Sequence, residues 1–142
     1  MKQKKIIESG KRKTAVAKAV LIELDEKDKN KIPRVVVNGQ DYKNLHPFNK
    51  LLIEEPLRIY DAVIGKDNFI VNIGVKGGGE KGQISAARLA LAKVILKFTN
   101  SKELEKAFLG YDRHLLVADV RRKEAYKPGD SKARRKRQTS YR

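Results

Sequence analysis

Apolar residues of one kind recur at every second position along residues 14–24, where they are small, and along residues 69–76, where they are large. A period of two sends successive side chains to opposite faces of a strand. In the first stretch one face is Ala15, Ala17, Ala19 and Leu21, and the other is Val16, Lys18, Val20 and Ile22. Such a small first face lets a helix approach the sheet closely. Residues 69–76 form the clearest strand, with Phe69, Val71, Ile73 and Val75 pointing one way and Asn72 and Lys76 the other. Between the two stretches, the charged run 25–31 predicts a loop, and residues 34–37, after Pro33, a short strand. Asn38-Gly39 then marks a turn. The pattern predicts an antiparallel pair between strands 14–24 and 34–37, joined by a long connection.

Elsewhere the spacing is helical. Pro47 suits the first turn of a helix, and Phe48, Leu51 and Leu52 share one face. Pro56 has no amide proton and interrupts that pattern, so the helix is expected to end near Glu55, with residues 57–64 ambiguous. The strongest helix covers residues 83–98. Ile84, Ala87, Leu91, Val94, Ile95 and Phe98 recur there at helical spacing, with Arg88, Lys93 and Lys97 off the stripe. Residues 101–109 predict a further short helix, with Ser101 and Glu103 at its start and Gly110 ending it. Residues 115–120 read as a last strand. The elements are interspersed but too few for a large doubly wound sheet. The expected fold class is α+β, a single small sheet covered by helices.

Charge changes the picture because it is segregated. The chain carries +16 over 142 residues. Residues 1–18 hold seven basic side chains against Glu8, and residues 121–142 hold ten against Glu124 and Asp130. In the middle, sixteen bases face fourteen acids, an ordinary mixed surface. The expected division is a basic N-terminal extension over residues 1–10, a globular α+β RNA-binding domain over 11–122, and an extended basic tail over 123–142. The last eleven residues contain six Lys or Arg, no acid, and no apolar side chain larger than Ala133 except Tyr141. Such a segment buries too little surface to offset its ordering entropy, so it is expected to be disordered alone in water. Guanidinium forks suit phosphates, and the expected partner is a phosphate backbone.

Several function classes fall away. The absence of Cys excludes disulfides and thiolate metal sites. His46 and His114 form no pair at ligating spacing, so neither a metal nor another cofactor is expected. Asp41, Asp61 and Asp112 form no paired acid and base, and the chain is not expected to be an enzyme. Apolar runs are too short for a signal peptide or a membrane span, which fits a cytoplasmic protein with no membrane partner.

Residues 74–82 join the clearest strand to the strongest helix, and they contain Gly77-x-Gly79-x-x-Gly82. That spacing matches a dinucleotide fingerprint, but the region about twenty residues on reads as helix, turn and helix, not a second parallel strand ending in an acid. A P-loop fails as well, because Gln83 and Ile84 follow Gly82. Two readings stay open. The loop is either a tight turn without a ligand, or a place where helix amides, Lys76 and Lys81 meet an RNA phosphate.

Four blocks together identify a resemblance. They are Ser9-Gly-Lys-Arg-Lys-Thr-Ala-Val-Ala-Lys-Ala19, Val75-Lys-Gly-Gly-Gly-Glu-Lys-Gly-Gln83 with its Ala- and Leu-rich helix, Asp119-x-Arg121-x-x-Glu124, and the basic end closing on Ser140-Tyr141-Arg142. In this order they resemble the universal family of small-subunit ribosomal protein nine, and the ending resembles its archaeal and eukaryotic branch. The chain departs from many archaeal members in having Asp119-Val-Arg-Arg122 where they carry Asp-Pro-Arg-Arg. The resemblance implies a fold like the second domain of ribosomal protein five, with a left-handed βαβ crossover. It implies a structural constituent of the head of the small ribosomal subunit, in the cytoplasm, bound to 16S-type ribosomal RNA and to neighbouring head proteins. It further implies a C-terminal tail that reaches toward the peptidyl-site transfer RNA.

The candidate contacts follow from both lines. Lys11, Arg12 and Lys13 precede the first expected strand, Lys76 and Lys81 flank the glycine loop, and Arg121 and Arg122 end the last strand. Lys132, Arg134, Arg135, Lys136 and Arg137 would pair with phosphates along the tail. Twelve extended residues reach roughly 40 Å, enough to leave a globular body. The resemblance puts Arg142 against the transfer RNA backbone, with Tyr141 beside it as a stacking candidate. Two other functions compete: a free-standing RNA-binding chaperone, and a small-molecule kinase of the same fold, for which the chain is too short.

Overall fold

The computed structural model describes residues 5–24, 34–65, 69–129 and 132–134. Within them, five strands form one mixed sheet: β1 (Lys5–Arg12), β2 (Ala15–Glu23), β3 (Val35–Val37), β4 (Gln40–Asp41) and β5 (Phe69–Lys76), in the order β1-β2-β5-β3-β4. Three helices accompany it: α1 (Pro47–Val63), α2 (Glu80–Thr99) and α3 (Lys102–Tyr111). The expected α+β class, a single sheet covered by helices, is what the structure has. β3 and β5 run parallel and are connected through β4 and α1, which makes a βαβ crossover.

The small face of β2 works as its composition demands. Ala15, Ala17, Ala19 and Leu21 are wholly buried against α2, whose Ala86, Ala87, Ala90 and Leu91 are buried in turn. Gly10 on β1 shows how close this contact is. A Cβ built there would lie 2.3 Å from the Ala86 carbonyl oxygen and 2.7 Å from the Ala90 amide nitrogen. Both are backbone atoms of a helix and cannot step aside. β1 was not legible as a strand, and residues 5–10 were expected to form an extension. Its helix-facing positions are Ile6, Glu8, Gly10 and Arg12, with Glu8 ion-paired to Lys97 at 2.6 Å, so no apolar alternation shows.

Pairing also differs from expectation. β2 and β3 do not pair; β5 lies between them, antiparallel to β2 and parallel to β3. β3 pairs instead with the short β4 through the Asn38-Gly39 turn, where both residues have positive φ (48° and 84°). The Asn38 side chain reinforces the turn by accepting from the Val75 amide at 2.8 Å.

Pro56 does not end α1. It is buried within the helix, and burial of Ile53, Leu57 and Tyr60 along the same stripe offsets the single backbone bond it forgoes. The core face is therefore not the expected one. Phe48 and Leu51 are exposed, Phe48 by 73%. α2 begins at Glu80, three residues before the expected start at residue 83, behind Gly79 as N-cap. Gly110 lies inside α3, which Ser101 caps by accepting from the Leu104 amide. Residues 115–120 form no strand. A single 3-10 turn, Arg113–Leu115, buries Leu115, and the chain then runs without regular structure, leaving Val120 86% exposed.

All three described helices lie on the Ala15-Ala17-Ala19 side, and no described element packs on the opposite sheet face. There Val16 is 45% exposed and Lys18, Asn72, Gly74 and Lys76 are exposed.

Gly10→Ala should lower unfolding free energy by about 1–3 kcal/mol, the usual cost of forcing atoms into a packed contact. Urea denaturation measures it. An unchanged midpoint would mean that β1 does not press on α2.

Candidate nucleic-acid interface

Three sequence-distant blocks converge at one end of the sheet. The β1–β2 hairpin turns through Lys13 and Thr14, with Lys13 at φ 52°. Against this turn lies the glycine loop after β5. Gly77 and Gly78 have φ of 76° and 67°, and a Cβ on Gly77 would fall 2.7 Å from the Thr14 carbonyl oxygen. A Cβ on Gly78 would fall 3.1 Å from the Ala15 amide nitrogen. These two glycines are thus accounted for by the turn and its packing. Gly79 has neither a positive φ nor a neighbour within 4 Å.

The third block is the segment after the 3-10 turn. Asp119 fixes it. Arg12 Nη2 is 3.0 Å from Asp119 Oδ2, and Arg12 Nη1 donates to the carbonyls of Asp119 and Arg121 at 3.4 and 3.2 Å. Arg121 grips the same carboxylate from the other side through Nε (3.0 and 3.1 Å) and Nη2 (2.7 Å), while its amide donates to Oδ1 at 3.0 Å. Arg122 crosses to the hairpin and donates to the Lys13 carbonyl at 3.0 Å. The side-chain bonds from Arg121 and then its amide hold the Asp119 carboxyl far below the usual carboxylate range; the Arg12 charge adds to them, and partial desolvation opposes them.

A second ionic joint sits behind. Arg88 on α2 bridges Glu55 of α1 at 2.6 Å and Asp112 at the end of α3 at 2.8 Å. Desolvation pushes the Asp112 carboxyl up, but bonds from the His114 amide and from Arg88 outweigh it and lower the pKa overall. Asp61, another acid considered as a catalytic candidate, is paired with Arg34 at 2.8 Å.

Between hairpin and glycine loop opens a cavity of about 470 Å³, lined by Arg12, Lys13, Thr14, Gly78, Gly79, Glu80, Lys81, Gly82 and Ser85. The Lys13 and Lys81 ammoniums have no ion pair among the described residues, so they are available to an anion at this rim. Glu80, in the first turn of α2, is turned to Asn49, whose amide donates to it at 2.6 Å. The candidate cations therefore sort by role. Lys11, Lys13, Lys76 and Lys81 are exposed or at the rim, Lys76 on the open sheet face and not within the loop. Arg12 is half-buried and spent on Asp119. Arg121 is paired although exposed, and Arg122 braces the hairpin. Neither ends a strand, as had been expected.

Of the tail, Lys132 and Arg134 are described, and Arg134 pairs with Glu124 at 2.9 Å. Arg135, Lys136, Arg137, Tyr141 and Arg142 lie outside the described residues. Sequence reasoning missed Phe48, which stacks on His46 at 5.7 Å and stands across a second cavity from Lys81. Its spacing with Leu51 and Leu52 concealed its exposure. Among the described residues no cluster of His, Asp or Glu could hold a metal, and no helix is long and apolar enough to cross a membrane.

A family model described as Ribosomal protein S9/S16 matches residues 10–142, almost the whole chain. The chain belongs to the ribosomal protein S9/S16 family. A relative from Thermoplasma volcanium, a small ribosomal subunit protein uS9, is 45% identical over 142 residues, covering 96% of this chain and 98% of its own length. The protein of the same description from Methanococcus vannielii is 40% identical over 136 residues, or 94% and 95% of the two chains. Both relatives are archaeal, the branch that the Ser140-Tyr141-Arg142 ending resembles. The family consists of structural ribosomal proteins, not enzymes, which removes the kinase reading.

The Asp119 latch yields a sign. A carboxyl whose folded pKa lies below its unfolded value of about 3.9 stabilises the fold fully above that value, and the contribution is lost as pH falls through the folded pKa. At pH 4, where a free Asp is about half protonated, the latch should still be closed, opening only in stronger acid. Asp119→Asn should open it at neutral pH. Hydrogen exchange at the Arg121 amide reads both; equal protection in wild type and variant would refute the latch.

Proposed function

We propose that this protein is a structural constituent of the small ribosomal subunit, holding ribosomal RNA at the end of the sheet where hairpin, glycine loop and the 119–122 segment meet. The observation that carries this is the convergence of Lys13 and Lys81 around one open rim, built by internal bonds that use Arg12, Arg121 and Asp119 as struts. Phosphates are matched there by charge and not by a shaped pocket. The helix N-terminus at Gly79 adds unpaired amides, and Phe48 offers an exposed ring beside Lys81.

In this reading the basic C-terminal sequence is the second contact. It extends the same chemistry beyond the body toward the peptidyl-site transfer RNA, with Lys132, Arg134, Arg135, Lys136 and Arg137 on RNA phosphates and Tyr141 and Arg142 at the end. The family membership supports the ribosomal role. The concentration of ten bases in residues 121–142 supports the polyanionic partner. Neighbouring proteins of the subunit head complete the partner set, and the setting is the ribosome of the cytoplasm.

Two measurements test the proposal. Binding of the full chain to a small-subunit ribosomal RNA transcript should fall with salt at a log–log slope of about −5 to −7, as six to eight phosphate contacts require. A slope near zero would refute it. Deleting residues 131–142 should leave the unfolding transition of the body intact yet weaken transfer RNA retention in the peptidyl site of reconstituted subunits. Unchanged retention would remove the tail from that role.

A further inference from the structure

The sheet face opposite the described helices carries a feature that neither packing nor backbone geometry explains. Gly74 sits in the middle of β5, its φ is not positive, and a Cβ built there meets nothing within 4 Å. Glycine in a strand interior costs conformational entropy and gives nothing back in packing. At Gly10 and Gly77 a neighbouring backbone accounts for the missing side chain; at Gly74 no part of the described fold does.

The register shows what surrounds it. Lys18 is opposite Gly74 on β2, and Ser9 is opposite Lys18 on β1. The next row toward the hairpin is Lys11, Val16 and Lys76, on three consecutive strands. Adjacent strands are about 4.8 Å apart and alternate residues along a strand about 6.8 Å. Lys11 and Lys76 thus stand roughly 10 Å apart, with Lys18 one row behind and between them. None of the three has an ion pair among the described residues, and all three are exposed. The acid on this face of the described strands, Asp41, pairs across from Val36 at the far edge of the sheet, and its carboxylate already accepts from the Lys43 amide. Among the described residues no strand position on this face carries an aromatic ring, so these strands offer no base stacking. What remains is a triangle of lysine positions beside Gly74, where the strand backbone carries no side chain.

We propose that this patch, Lys11, Lys18 and Lys76 around Gly74, is a docking surface for the sugar-phosphate backbone of RNA. The glycine leaves room for a ribose or phosphate to lie on the strand backbone while the three lysines neutralise the flanking phosphates. The surface is continuous with the hairpin and glycine-loop rim, since β1, β2 and β5 all lead into it. The inference rests on the ribosomal RNA reading above and deepens it: the contact turns the corner from the loops onto the sheet. Lys18 and Gly74 are the residues it adds.

Each variant here touches only an exposed position. Lys18→Gln should weaken binding to a small-subunit ribosomal RNA transcript several-fold and reduce the salt slope by about 1. Lys106→Gln, which removes the same charge from α3 on the helical side, should leave the slope unchanged. Gly74→Ala should keep or raise the unfolding midpoint, because its methyl group meets nothing, and yet lower RNA affinity. If wild type binds with a steep slope while Lys18→Gln and Gly74→Ala match it, the surface is not a contact and only the proposed function stands. If wild type itself shows no salt-dependent binding, both fall. The chain has no native cysteine, so a photoreactive label on Lys18→Cys is unique. In reconstituted subunits it should join to RNA; adducts with protein alone would assign the face to a protein neighbour and overturn the inference.

Discussion

The contact between α2 and the first hairpin is made of absent side chains. Gly10, Ala15, Ala17 and Ala19 on the strands meet Ala86, Ala87 and Ala90 on the helix, and the space between the Gly10 backbone and the helix is too small for one more methyl group. Burial of so little side-chain volume would be a weak source of stability if the contact stood alone. It is completed by larger groups at its margins, where Leu21, Ile73, Leu91 and Ile95 are almost fully buried. The closeness also has a positional consequence. A helix held this near the hairpin brings its own N-terminus, and the glycine loop before it, directly against Lys13 and Thr14. The rim of cations exists because the helix cannot sit further out.

Concentrating positive charge at one end of a fold is unfavourable, and the structure relieves it with one carboxylate. Asp119 takes two guanidiniums, Arg12 and Arg121, in short and largely bidentate bonds. Its electrostatic work is local and independent of salt to the extent that Arg12 is shielded from water. The same bonds tie the irregular segment 116–122 to the edge strand β1, giving it a fixed path without regular structure of its own. Arg122 completes this by donating to the hairpin. Arginine suits these positions and lysine the rim. A planar fork can hold a carboxylate and two carbonyls at once, whereas an ammonium left in water keeps its freedom to meet a phosphate.

What could be read from the sequence follows this physics. β5 and the body of α2 were legible because their buried faces are apolar and regular, and the Asn38-Gly39 turn because its chemistry is local. The small face of β2 correctly announced a close helix. β1 was not legible, since of its inward positions Ile6, Glu8, Gly10 and Arg12 only Ile6 resembles a core residue. Pro56 misled because its backbone penalty is local while the burial of Leu57 and Tyr60 is tertiary. Residues 115–120 have the composition of a strand, but Leu115 alone is deeply buried, and Asp119 diverts the rest. Of the candidate site, the basic character of Lys13 and Lys81 was visible, and their meeting was not. That Arg12 serves as a strut requires knowing where Asp119 lies.

The two faces of the sheet show why such a small body can be both stable and adhesive. Every described helix is used on one side, so the core is single-layered and the other side carries no described helix. An open face of this kind usually risks edge or face aggregation, and apolar residues such as Ile7 and Val16 are indeed exposed on it. Lys5, Lys11, Lys18 and Lys76, on the same face and without an ion pair among the described residues, oppose association with a second copy, because like charges would be brought together as their water is removed. A polyanion meets no such barrier. On the proposed reading, the charge that would keep the face from its own kind is the charge that would select a nucleic acid for it.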